Sequence, residues 1–230
     1  MRDYELLIFD WDGTLVDSIG RIVAAMHAAT DQCGLERCSD EAVKGIIGLA
    51  LPEAIAVLYP ALVLEQAERL RLRYSECYVA LDQQPSPLFP GVEHGLLALR
   101  EQGYRLAVAT GKTRRGLQRI LDALGWQDFF DVTRCADETA SKPDPRMLHE
   151  ILQHCGVTAE RALMVGDASF DLVMAQRAGM DAVAVGYGAQ TLAALSVHDP
   201  KLSVSDFMQL SAWLARAPAE PRIEVVEHVG

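Results

Sequence analysis

Residues 4–18 read Tyr-Glu-Leu-Leu-Ile-Phe-Asp-Trp-Asp-Gly-Thr-Leu-Val-Asp-Ser. Leu6 to Phe9 are apolar without alternation, the pattern of a strand buried on both faces in a parallel sheet. The run ends in Asp10 and Asp12, one residue apart, and Gly13-Thr14 then turns the chain. Open α/β sheets bind ligands beyond the carboxyl ends of such strands. A carboxylate placed there without a partner is costly to remove from water. Two of them point to a bound cation, a proton held between them, or both.

Beyond Asp17 the pattern turns helical. Ser18 is suited to cap a helix through Ile22, Val23 and Met26, with Gly34 as its stop. A second helix is expected near Ser39 and a third at Pro52, and a longer helical pattern runs from Leu62 to Leu81. The Pro-rich segment Gln84–Gly91 reads as the return from this insert. Strands then alternate with helices. Strands are expected at Tyr104–Ala109, Phe130–Cys135, Ala162–Val165 and Ala182–Val185, the last completing the series. Helices are expected at Val92–Gln102, Arg114–Leu124, Pro145–Cys155, Phe170–Ala178 and Asp206–Arg216. Such alternation implies right-handed βαβ units and a parallel sheet covered on both faces. The expectation is an α/β, Rossmann-like doubly wound core made of 1–16 and 85–217. A helical cap of 17–84 interrupts it, with hinges near Asp17 and Gln84. The tail, 218–230, shows no pattern beyond a short apolar stretch at Ile223–Val226, a candidate edge strand.

Composition narrows the function classes. The 230 residues are 50% hydrophobic and carry 21 Lys and Arg against 32 Asp and Glu, a formal net charge of −11. That balance argues against a nucleic-acid or anionic-membrane binder. No apolar run reaches the ~18 residues of a spanning helix, and Met1–Glu5 lacks the features of a signal peptide. The five scattered cysteines, Cys33, Cys38, Cys77, Cys135 and Cys155, read as reduced thiols of a cytoplasmic protein.

Four predicted strand ends or following loops carry polar groups: Asp10 with Asp12, Thr110-Gly111-Lys112, Ser141-Lys142-Pro143, and Gly166-Asp167 with Asp171 four residues on. The stretches Phe9–Ser18, Ala109–Lys112, Ser141–Pro145 and Val165–Asp171, in this order around a helical insert, resemble the haloacid dehalogenase-like superfamily. More closely, the chain resembles its phosphoglycolate phosphatase-like branch. The resemblance runs to about Leu214 and implies a magnesium-dependent hydrolase of a small phosphomonoester akin to 2-phosphoglycolate.

By that resemblance Asp10 is the nucleophile, and Asp12 is the general acid and base whose backbone carbonyl also binds the metal. Asp167 is the second metal carboxylate. Thr110, Gly111 and Lys142 hold the phosphoryl group, and Asp171 supports the metal and Lys142 from behind. The second aspartate separates the superfamily's phosphotransferases from its dehalogenases. The rival readings are a β-phosphoglucomutase-like phosphomutase, a pyrophosphate or nucleotide phosphatase, and a ligand-binding module without turnover. A monomer or homodimer acting on a phosphorylated metabolite is expected.

Other polar residues take plainer readings. Asp17 with Ser18 reads as a cap. Arg69, Arg71, Arg73, Arg114 and Arg115 read as solvated, while Lys112 either approaches substrate or does not. The six histidines show no metal spacing. Trp11 is expected to pack beside the pocket. Gly45 and Gly48 either let an insert loop dip into the site or serve packing.

Overall fold

β1, Leu6–Phe9, has all four side chains buried, as an unbroken apolar run requires at the centre of a covered sheet. In the computed structural model, which describes residues 4–82 and 86–215, five further strands join it. They are β2 (Arg105–Thr110), β3 (Val132–Cys135), β4 (Ala162–Gly166), β5 (Asp181–Val185) and β6 (Leu202–Val204). The sheet order is β3-β2-β1-β4-β5-β6, and every pairing is parallel. Asp10 therefore leaves the sheet between the ends of β2 and β4.

The helices are α1 (Ile19–Cys33), α2 (Asp40–Lys44), α3 (Leu51–Leu58), α4 (Leu64–Leu81), α5 (Val92–Glu101), α6 (Arg114–Leu124), α7 (Arg146–Cys155), α8 (Ser169–Arg177), α9 (Leu192–Leu195) and α10 (Phe207–Leu214). The two-residue period of the strands sends Leu7, Phe9, Leu106, Val108, Leu163 and Val165 to one face, under α5, α6 and α10. Leu6, Ile8, Ala107, Ala109 and Met164 meet α7 and α8 on the other. Between β1 and α5 the structure is helical, α1 to α4, with an apolar interior of its own around Ala25, Ala29, Ile55, Leu70 and Cys77. Among the described residues no helix is long and apolar enough to cross a membrane.

Two expectations need correction. The strand series does not end at Val185: β6 pairs with β5 from Val183↔Leu202 to Val185↔Val204. With three residues and only Val204 buried, it is too short to show a period. The last helix starts at Phe207, capped by the Asp206 carboxylate on the Gln209 N–H at 3.0 Å, and it ends at Leu214. Arg216, the Ile223–Val226 stretch, the Gln84 hinge and the boundaries at 84/85 and 217/218 lie outside the described residues.

The central strand yields one stability prediction. Ile8 has no exposed surface, so Ile8→Ala removes buried methyls and leaves a cavity, at a cost of about 2–5 kcal/mol. Urea unfolding with an unchanged m-value checks it.

Candidate active site

The Asp10 N–H donates to the Val165 carbonyl at 2.9 Å, carrying the β1–β4 pairing one step beyond the strand. Its carboxylate is 1% exposed. Lys142, from the loop between β3 and α7 and also 1% exposed, donates from Nζ to Asp10 Oδ1 at 2.5 Å and to Asp171 Oδ1 at 2.7 Å. Asp171 lies in the first turn of α8, where its Oδ2 accepts the Ala168 N–H at 3.1 Å. One carboxylate thus caps its helix and holds the lysine. Asp167, one residue past β4, accepts the Thr14 hydroxyl on Oδ1 at 2.9 Å and the Ala189 N–H on Oδ2 at 2.6 Å. Asp10, Asp167 and Asp171 each offer an oxygen, and these oxygens lie within 4.8 Å of one another.

Three buried carboxylates around one ammonium leave negative charge in excess. Burial pushes Asp10 well above the usual carboxylate range. Lys142 pulls it down, and Asp171 and Asp167 push it further up. Burial and then Asp171 drive Asp167 up to about 7, against the Ala189 N–H and the Thr14 hydroxyl. Burial works against the charge of Lys142, but Asp10 and Asp171 outweigh it and hold the ammonium above its ordinary value. Asp10 Oδ2 is buried with no hydrogen-bond partner among the described residues. An orphaned oxygen in an all-carboxylate cluster of excess charge suits a hard divalent cation such as magnesium.

Asp12 faces elsewhere. Its Oδ1 accepts the Ser18 hydroxyl at 2.5 Å and lies 3.0 Å from Lys112 Nζ. Lys112 also donates to the Tyr78 hydroxyl at 3.2 Å and sits 4.8 Å from that ring's centroid. Tyr78 belongs to α4, so the insert touches the site through Lys112. Ser18 precedes α1 as expected, but its side chain makes no cap bond, and its φ of −111° and ψ of −4° are not the extended cap conformation. A hydrogen bond to a carboxylate is roughly twice as strong as one to a neutral group, so Asp12 takes the hydroxyl.

Thr110 is fully buried at the end of β2, and its hydroxyl accepts the Lys112 N–H at 3.2 Å. A Cβ on Gly111 would stand 2.5 Å from the Leu49 carbonyl oxygen and 2.6 Å from that of Gly48. The insert loop therefore rests on this strand end, as one reading of Gly48 expected. The Ser141 hydroxyl accepts the Ala50 N–H at 2.9 Å and anchors the same loop.

Arg114 is partly solvated and also paired: its guanidinium meets Glu138 at 2.7 Å and reaches Thr133. Arg115 is exposed. Trp11 is not beside the pocket. It continues the Leu7–Phe9 face into the core, edge-on to Phe130 at 6.2 Å. Thr14 and Ser18 carried only turn and cap roles in the sequence, and Ser141, Tyr78 and the Ala189 N–H were given no role at the site. The pair of glycines in Gly186-Tyr187-Gly188-Ala189, directly after a strand, was the available signal for the last.

The family model for haloacid dehalogenase-like hydrolases matches residues 7–185. A probable phosphatase, IndB, from Dickeya dadantii is 35% identical over 209 residues, 89% of this chain and 91% of that protein. A phosphoglycolate phosphatase from Colwellia psychrerythraea is 30% identical, covering 94% of this chain and 99% of its own length. Among solved structures, a predicted phosphoglycolate phosphatase from Haemophilus somnus superposes with a TM-score of 0.84 at 25% identity, over 94% of this chain and 100% of that one.

Proposed function

The chain belongs to the haloacid dehalogenase-like hydrolases, in their phosphoglycolate phosphatase-like branch, and from that premise we propose that it hydrolyses a small phosphomonoester through a phosphoryl group carried on Asp10. The observation that carries this reading is the division of partners between two aspartates two positions apart. Asp10 sits with the ammonium of Lys142 and the buried carboxylates. Asp12 stands apart, on Ser18 and Lys112, with its carboxyl at the cleft. This division of partners supports attack on phosphorus by Asp10 and proton movement by Asp12.

An Asp10 oxygen forms a bond to phosphorus as the bond to the leaving alcohol breaks, and Asp12 gives that alcohol its proton. Water then attacks the same phosphorus and gives a proton to Asp12, the Asp10 oxygen–phosphorus bond breaks, and phosphate leaves with Asp10 and Asp12 restored. Lys142, Thr110 and Gly111 hold the transferring oxygens, and Asp171 keeps Lys142 aimed. Asp10, Asp167 and the Asp12 carbonyl would hold magnesium. When bound, the ion would neutralise the carboxylates and phosphoryl oxygens, so that an anion can approach an anion. The five free cysteines support a cytoplasmic setting, where the protein acts as a monomer or homodimer.

The test is magnesium-dependent phosphate release across phosphorylated metabolites, with 2-phosphoglycolate as the reference. No release from any of them, with magnesium present, ends this reading. Metal binding has its own readout. Magnesium at about 100 times its Kd adds about 2.7 kcal/mol of stability, or roughly 5–10 °C in Tm at this chain length. Asp167→Asn is expected to lose most of that shift, measured by thermal unfolding with and without chelator.

A further inference from the structure

The cleft in front of Asp10 and Asp12 holds about 1620 Å³. Small-ligand sites usually measure ~300–1,000 Å³, so a two-carbon leaving group would leave most of this space to water. The wall contributed by the insert includes Ile22, Met26, Ile46, Ile47, Tyr74 and Tyr78, with no charged side chain among these six. The charged insert residues that reach the cleft, Arg71 and Glu76, are more exposed and already paired, with Glu68 and Arg73. On the core side Lys112 is taken by Asp12 and Tyr78, Arg114 by Glu138 and Arg119 by Asp82. Arg115 is exposed. A carboxylate on the leaving group would face this apolar insert wall, where the ammonium beside Asp12, that of Lys112, is already engaged, and Arg115 would meet it only in its exposed, solvent-screened setting.

The same wall suits a ring. Tyr74 and Tyr78 lie one turn apart on α4, with centroids 6.0 Å apart and planes tilted by 34°. The Tyr74 hydroxyl makes no hydrogen bond among the described residues. It can serve an uncharged polar substituent. Further out, Leu72 and Val79 line the cleft while 49% and 53% exposed, an apolar surface that a bulky group would cover. Aromatic faces reward a ring with more than its buried area.

We propose that the leaving group is an uncharged, ring-bearing alcohol that packs on Tyr74 and Tyr78, and not a carboxylate such as glycolate. The proposal rests on the phosphatase reading above and adds the substrate class to it.

A matched set of primary-alcohol monoesters tests it: benzyl phosphate, ethyl phosphate and 2-phosphoglycolate, each assayed for phosphate release with magnesium. The expected result is a kcat/KM for benzyl phosphate at least about tenfold above both others. Tyr74→Ala should shrink that preference by about tenfold, and Tyr74→Phe should keep it. Should Tyr74→Ala fail to fold, the wild-type ranking and Tyr74→Leu, which retains bulk without a ring, carry the test. A higher kcat/KM for 2-phosphoglycolate, or a ring preference untouched by Tyr74→Ala or Tyr74→Leu, overturns the proposal and leaves the phosphatase reading standing. Release from none of the three esters overturns the proposal, and the phosphatase reading falls with it only when the metabolite panel above is also left intact.

Discussion

Asp10→Asn abolishes phosphate release, by at least ~10⁴-fold in kcat, as removal of a covalent nucleophile does, and leaves the folded protein no less stable. Both halves follow from the same geometry. An amide cannot form the bond to phosphorus, although it fills the same space. Burial disfavours the ionised Asp10 carboxylate before any substrate arrives, so a neutral isostere relieves the fold. Lys142 keeps Asp171 at 2.7 Å as its counter-ion. The checks are steady-state phosphate release, unfolding without magnesium, and acid quench of enzyme mixed with phosphorus-labelled substrate. Wild type should carry label, and the variant none. Retained turnover sinks the role of Asp10, and a large loss of stability sinks the electrostatic account.

Lys142→Met is expected to fail in the opposite way, losing stability as well as turnover. Methionine nearly matches the volume, but the ammonium held by Asp10 and Asp171 is gone. Breaking a fully buried ion pair from one side costs about 3–5 kcal/mol. The loss should depend on pH with a definite sign. Burial and Asp171 raise Asp167 to about 7, and burial raises Asp10 well above its ordinary value. Groups raised in the folded state favour folding while protonated, and that contribution fades as pH climbs from their unfolded values through their folded ones. Without the lysine these carboxyls rise further, so the deficit against wild type is larger at pH 8 than at pH 5. Urea unfolding at the two pH values checks this. An equal deficit at both would show that Lys142 acts through packing alone.

These variants concern residues that were visible in the sequence, and the reason is physical. Asp10, Asp167 and Lys142 are charged groups beside apolar strands or in a Pro-bounded loop, where charge is hard to explain without a site. Their partners lack that contrast. The Ala189 N–H that holds Asp167 belongs to a residue whose side chain says nothing about its backbone donor. Thr14 and Ser18 looked like turn and cap residues because hydroxyls serve those roles equally well. The direction of Trp11 followed from strand alternation, and reading it as a pocket residue gave too much weight to its neighbours. The central strands were legible from hydrophobicity, whereas β6 is a three-residue edge whose existence depends on β5 already being in place.

The position of β1 in the order β3-β2-β1-β4-β5-β6 has a consequence for biosynthesis. Leu6–Phe9 is synthesised well before its neighbours, which begin at Arg105 and Ala162. Until those emerge, a fully apolar strand has no native edge to join. Long-range parallel pairing is slow to form, and unpaired apolar strands are prone to aggregate. The intervening helices α1 to α4 have local partners and can fold first, which spaces β1 from other nascent chains while it waits. Slower synthesis at low temperature, which gives this strand's partners time to emerge and pair before other chains are met, should therefore raise the soluble fraction.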